Sequence, residues 1–184
     1  MNLALRATAA SVFTTLLIFG PQPATLSAAE PATVSLSDGK IVMSAPKGWE
    51  KKTPSVRIIE YEFSVPAAEG DKNPGRVTIM GAGGSVDANV KRWIGQFLQT
   101  KKRDVTKETI AGQEVHLVDV VGTYNDRPGP FAPGVKRENY EMLAAIIVTE
   151  KSGKYFVKFY GPQKTVDANK KAFRAMIESL KVKD

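Results

Sequence analysis

The sequence predicts an α+β domain in which a central antiparallel β-sheet is flanked by two main amphipathic helices. Three observations carry this prediction. Runs of alternating or β-branched residues are joined by very short connections, such as Ala111-Gly112 and Lys151-Ser152-Gly153, which suit hairpins and not βαβ crossovers. Two stretches repeat apolar residues at the helical spacing: Val86, Val90, Trp93, Ile94, Phe97 and Leu98 in one, Val166, Phe173, Met176, Ile177 and Leu180 in the other. The 184 residues, 42% hydrophobic and 24% charged, have the composition of one globular domain.

In chain order, the first segment is an export signal. Arg6 precedes a mostly apolar stretch over residues 7–19, followed by Gly20, Pro21 and the small residues Ser27-Ala28-Ala29. Cleavage after Ala29 places Ser27 and Ala29 in the two pockets that demand small side chains. The apolar run is shorter than the ~20 residues that cross a bilayer, so no transmembrane anchor is expected after cleavage. What remains is a single domain over residues 30–184, with a net charge of +6 once Arg6 is gone from the +7 of the whole chain. The sequence therefore predicts an exported protein, periplasmic or extracellular.

The elements of the mature chain follow. Residues 34–36 and 40–45 form a hairpin about Ser37-Asp38-Gly39. Trp49, after the breaker Pro46-Lys47-Gly48, caps one end of the core. In residues 56–65, Ile59, Tyr61, Phe63 and Val65 alternate with Ile58, Glu60, Glu62 and Ser64, which predicts a strand. A strand over 76–80 ends in Gly81-Ala82-Gly83-Gly84, and Ser85 opens the first helix as its N-cap. Strands are expected over 102–110, 113–123, 140–149 and 154–160, and Thr165 is expected to cap the second helix. An echo at an offset of eighty residues, Ser85-Val86-Asp87-Ala88-Asn89 against Thr165-Val166-Asp167-Ala168-Asn169, reads either as a duplicated ββα unit or as two helices meeting the same capping demands.

Cysteine is absent, which removes disulfides, thiol nucleophiles and cysteine zinc sites. The single histidine, His116, sits in a strand whose alternation sends Asp119 to the other face, so a catalytic triad or histidine metal site is not supported. The glycine-rich turn before the first helix has Val86 where a dinucleotide fingerprint needs its third glycine. Glu60 and Glu62 share a strand face, a spacing superficially suited to a carboxylate pair, although neighbours on one strand are usually a solvated face. No cofactor or metal is called for.

The segment 125–137 stands apart. Three prolines stiffen it, two glycines turn it, and Phe131 lies between prolines with Arg127, Lys136 and Arg137 on either side. An aromatic anchor among cations on a restrained backbone suits recognition, so Arg127, Phe131, Lys136 and Arg137 are the candidate binding residues. The cations elsewhere are spread out and interrupted by acids, which predicts no nucleic-acid site.

The order of elements resembles the PsbP-like, Mog-type family over residues 33–181. The hairpin leading to Ala45-Pro46-Lys47-Gly48-Trp49, the helix about Trp93 and Phe97, the strand ending Gly122-Thr123-Tyr124, the run Phe156-Val157-Lys158-Phe159-Tyr160-Gly161-Pro162 and the final helix carry the resemblance. It implies an α/β/α sandwich and a non-enzymatic accessory or binding protein. The expected function is an exported binding or accessory module for an envelope protein or an anionic polymer. The alternative is an envelope hydrolase or small-ligand enzyme using Glu60, Glu62 or Asp119.

Overall fold

The computed structural model describes residues 31–127 and 133–183. The elements run β1 (Thr33–Leu36), β2 (Ile41–Ser44), β3 (Glu50–Lys52), β4 (Tyr61–Val65), β5 (Gly75–Ala82), α1 (Val86–Ile94), β6 (Phe97–Ile110), β7 (Gln113–Asp126), β8 (Val135–Thr149), β9 (Gly153–Pro162), α2 (Gln163–Glu178) and β10 (Lys181–Val182). Seven strands form one sheet in the order β3-β4-β5-β9-β8-β7-β6, every neighbouring pair antiparallel. A second sheet, β1-β2-β10, is also antiparallel. The export segment lies outside the described residues. Among those residues no helix is long and apolar enough to cross a membrane.

Side-chain alternation divides the large sheet into two faces, each with its own core. On one face Phe63, Val77, Ile79, Val157 and Phe159 pack with Val166, Phe173 and Met176 of α2 and with Val34, Ile41 and Met43 of the small sheet. On the other, Val118, Val120, Met142, Ile146 and Phe156 pack with Val90 and Trp93 of α1. The two helices thus cover opposite faces, but the α2 layer also contains a three-stranded sheet, whereas the other face has a single helix of nine residues. Trp49 closes the α2-side core as expected, its ring 5.4 Å from Phe159 and its Nε1 donating to Asn169 Oδ1 at 3.1 Å.

Three boundaries differ from expectation, each for an identifiable physical reason. Helix α1 stops at Ile94 because Gly95 takes the C-cap, its N–H donating to Lys91 O at 2.9 Å, so Phe97 and Leu98 open β6 instead of extending the helix. Helix α2 begins before Thr165, which lies fully buried in its first turn. The capping oxygen comes from the β4–β5 loop: Asp71 Oδ2 accepts from Thr165 N–H at 2.9 Å and from its hydroxyl at 2.7 Å. The connection predicted at 125–137 is shorter, since β7 runs to Asp126 and β8 starts at Val135.

The repeated pattern at 85 and 165 does not reflect superposable units. Strands β5 and β9, which precede the two helices, are antiparallel neighbours. A two-fold axis exchanging them would carry both helices to one face, yet α1 and α2 lie on opposite faces. The ββα units are of opposite hand, and the similarity is one of helix-start chemistry.

Candidate functional site

The α1 face of the sheet is only partly covered, and the uncovered part is neither an apolar core nor an ordinary solvated surface. Even-numbered residues of β9 point there: Phe156, Lys158 and Tyr160. Lys158 is 9% exposed. Its Nζ donates to Gln96 Oε1 at 2.6 Å and to Tyr124 Oη at 3.2 Å, and sits 5.3 Å and 4.9 Å from the ring centres of Tyr124 and Tyr160. None of these partners is anionic. Burial, reinforced by the positive charges of Arg92 and Arg76, pushes the Lys158 pKa down to about 7. Burial also raises the Tyr124 pKa well above the usual phenol range, keeping its hydroxyl protonated.

A cavity of about 420 Å³ opens above this lysine. Four cations line it, Arg76, Arg92, Arg127 and Lys158, and no carboxylate does. Arg76 is neutralised from outside by a two-pronged contact with Glu62, at 2.9 Å through both Nε and Nη2, and its third nitrogen donates to Tyr160 Oη at 3.0 Å. Arg92 donates only to the neutral Asn89 Oδ1, at 2.9 Å. Two further cavities share walls with the first. One, of about 340 Å³, meets it at Arg76 and Tyr160 and reaches Arg137; the other, of about 300 Å³, meets it at Gln96, Tyr124 and Arg127. Tyr124 lies centrally, stacked on Tyr140 with centres 6.2 Å apart and tilted against Tyr160 at 5.1 Å.

Two of the sequence-predicted binding residues border this groove. Exposed Arg127 lines two of its cavities, and Arg137 lines the third, its Nε 3.4 Å from Asp126 Oδ2. Lys136 is exposed on β8 opposite Asn125 and lines none of these cavities, and Phe131 lies outside the described residues. Gly134 permits the two sides of the connection to approach: a Cβ there would fall 1.9 Å from Asn125 Oδ1. Sequence reasoning missed Lys158, Arg76, Arg92 and Tyr124. The available signal was Tyr155-Phe156-Val157-Lys158-Phe159-Tyr160, where one lysine interrupts an apolar run in a strand buried on both faces.

The carboxylates of the hydrolase reading are tied into the framework. Glu60 Oε1 accepts from Gly81 N–H at 3.1 Å, and Glu62 holds Arg76. Asp119 receives Lys102 Nζ at 2.6 Å, and near it on β8 lies Glu141, with no exposed surface. Desolvation raises the Glu141 pKa to about 8, with Asp119 adding to the rise and Lys170 opposing it. Lys170 of α2 lies 2.7 Å from Glu141 Oε1 and 3.8 Å from Asp119 Oδ2. A cavity of about 190 Å³ reaches Asp119 and Lys170 but not Glu141. The perturbed acid is therefore sealed behind the helix, where it meets Lys170 of α2. His116 is paired with Glu114 at 2.7 Å and takes part in neither site.

The fold and the groove define a class: an α+β chain of PsbP-like fold with a cationic, aromatic cleft on the face of its sheet opposite the long helix. No protein-family model matches the chain and no curated protein matches it, whereas solved structures do. The cyanobacterial PsbP of Synechocystis sp. PCC 6803 is similar with a TM-score of 0.54 at 12% identity, over 89% of this chain and 98% of that one. LpqN, described as involved in cell envelope biogenesis of Mycobacterium tuberculosis, is similar with a TM-score of 0.55 at 9% identity, over 84% of this chain and 91% of that one. The Ran-binding protein Mog1p of Saccharomyces cerevisiae gives a TM-score of 0.44 at 11% identity, over 83% of this chain and 95% of that one. At these identities the likeness to PsbP and LpqN is one of fold.

Proposed function

We propose that this is an exported, non-enzymatic binding or accessory protein of the cell envelope, whose contact surface is the α1-face groove together with the β7–β8 connection. The observation that carries the reading is a cavity lined by four cations and no carboxylate, in a wall of aromatic rings. Such a surface attracts an anionic partner, an envelope protein segment or an anionic polymer, and gives it rings to pack on. Arg127, Lys136 and Arg137, with Phe131 between them in sequence, supply the outer contacts. Export follows from residues 1–29, and the envelope setting accords with the fold likeness to a protein of cell envelope biogenesis.

The test is capture from an envelope extract followed by a binding isotherm on the captured partner. Arg127→Ala combined with Arg137→Ala should weaken binding about 10- to 100-fold, the range of an interface hot spot, with the melting temperature nearly unchanged because Arg127 is exposed and the half-exposed Arg137–Asp126 pair adds little to stability. Intact binding by a stable double variant places the contact surface elsewhere.

A further inference from the structure

We propose that the 420 Å³ cavity binds a small organic anion with a flat apolar body, its charged group held by Lys158, Arg92 and Arg127 and its body lying against Trp93 and Phe156. The inference rests on reading the α1-face groove as the binding face and adds to it a ligand class distinct from the macromolecular partner.

Arg76 already has a carboxylate in Glu62. Lys158 and Arg92 have only neutral acceptors, and Arg127 has no ion pair among the described residues. An ammonium group withdrawn from water without a counter-charge is costly, and an anion entering the cavity relieves that cost while meeting three positive groups at once. Gln96 and Tyr124 hold the lysine in place without neutralising it, so its charge is still available to a ligand.

The size and walls of the cavity point to the same ligand independently of charge. The volume lies within the roughly 300–1,000 Å³ range of small-molecule sites. Trp93 and Phe156 meet edge to face with centres 4.8 Å apart, which sets one firm aromatic wall. Tyr124 and Tyr160 make another, tilted by 38°. At the lip stands Ile58, 68% exposed, an apolar side chain that water does not favour and a ring could cover. Free inorganic anions would use the charges and leave all of these walls idle.

The probes are 2-naphthoate, its uncharged counterpart 2-naphthalenemethanol and inorganic phosphate, titrated at pH 6 by calorimetry and by quenching of Trp93 fluorescence. The proposal expects 2-naphthoate to bind at least tenfold more tightly than either of the others. Lys158→Met should abolish that advantage and Arg127→Gln should reduce it at least threefold, each judged alongside its melting curve; if the first variant fails to fold, the second decides. Equal affinity for the naphthoate and the alcohol overturns the charge assignment, and phosphate binding as tightly as naphthoate overturns the apolar one. Absence of any naphthoate binding while the envelope partner is still captured overturns this inference and leaves the binding-face reading intact.

Discussion

Replacing Lys158 with Met should change not only how stable the protein is but how its stability depends on pH. The folded-state pKa is about 7, against about 10.4 for a lysine in an unfolded chain. Between those values the unfolded chain holds a proton that the folded one lacks, so stability rises with pH across that window. Below pH 7 both states are protonated and the whole cost of burying the charge is present; above about pH 10.4 both are neutral and it is gone. That cost is about 5 kcal/mol at most, and the part recovered between pH 7 and 9 is about 2 kcal/mol. Lys158→Met keeps the length of the stem and removes the charge. It also forfeits two hydrogen bonds, to Gln96 and Tyr124, of about 1 kcal/mol each. The variant should therefore be more stable than the wild type by about 3 kcal/mol at pH 6, with the gap closing by about 2 kcal/mol from pH 7 to pH 9. Guanidinium denaturation of both proteins across pH 6–10 measures this, and titrations common to both cancel in the difference. Stability curves that run parallel would show that the lysine titrates in the folded state as it does in water, and the charge argument for the cavity would fail with it.

Other expectations follow from the packing and from the N-terminal sequence. Trp93→Ala and Phe173→Ala remove side chains that are 2% and 5% exposed, one from each core; each should cost about 3–5 kcal/mol, and denaturant midpoints equal to wild type would show the helix faces to be wrongly assigned. Asp71→Ala removes the side-chain cap at the start of α2, taking both bonds to Thr165; a loss of about 1–2 kcal/mol is expected, and Asp71→Asn should restore part of it if capping is the cause. The exported protein should begin at Glu30 on N-terminal sequencing, and a chain that retains Met1 in the membrane pellet would contradict the export reading.

The framework was readable because it rests on local patterns. Alternation in Tyr61, Phe63 and Val65, the short connections at Ala111-Gly112 and Ser152-Gly153, and the helical spacing of Val86, Val90 and Trp93 are each contained within a dozen residues. The errors hardest to avoid arose where a distant residue decides a local outcome. Asp71 caps a helix more than ninety positions away, and no inspection of residues 160–170 would reveal it. Strand β6, a highly charged edge strand, is held in place by its register with β7 and not by any alternation of its own. The groove is harder still to read. Arg76 and Tyr160, Gln96 and Lys158, and Tyr124 and Lys158 are separated by 84, 62 and 34 positions, and only the sheet order brings them together. Arg127 and Arg137, which border the groove, flank a proline-rich connection that draws attention to itself; Lys158 was hidden in what looked like core.

The unequal cover of the two sheet faces supplies the last step. An antiparallel sheet with one face packed ordinarily turns polar residues to water on the other. Here the α2 face is covered by a helix of sixteen residues and a second sheet, and its inward residues are mainly apolar, the buried Glu141 being met by Lys170 of the helix. The opposite face is roofed by nine helical residues, yet beyond their reach the strands present Tyr124, Tyr140 and Tyr160 together with Arg76 and Lys158, not the small polar residues that solvent would favour. The half-exposed rings of Tyr140 and Tyr160 lose part of the stabilisation of burial, and a buried ammonium without an anion detracts from stability outright. Stability alone selects against both features, and in this chain they occupy the same few square nanometres of one sheet. The proposed binding of an anion through those rings and that ammonium accounts for the two together, on the face that the chain's own helices leave open.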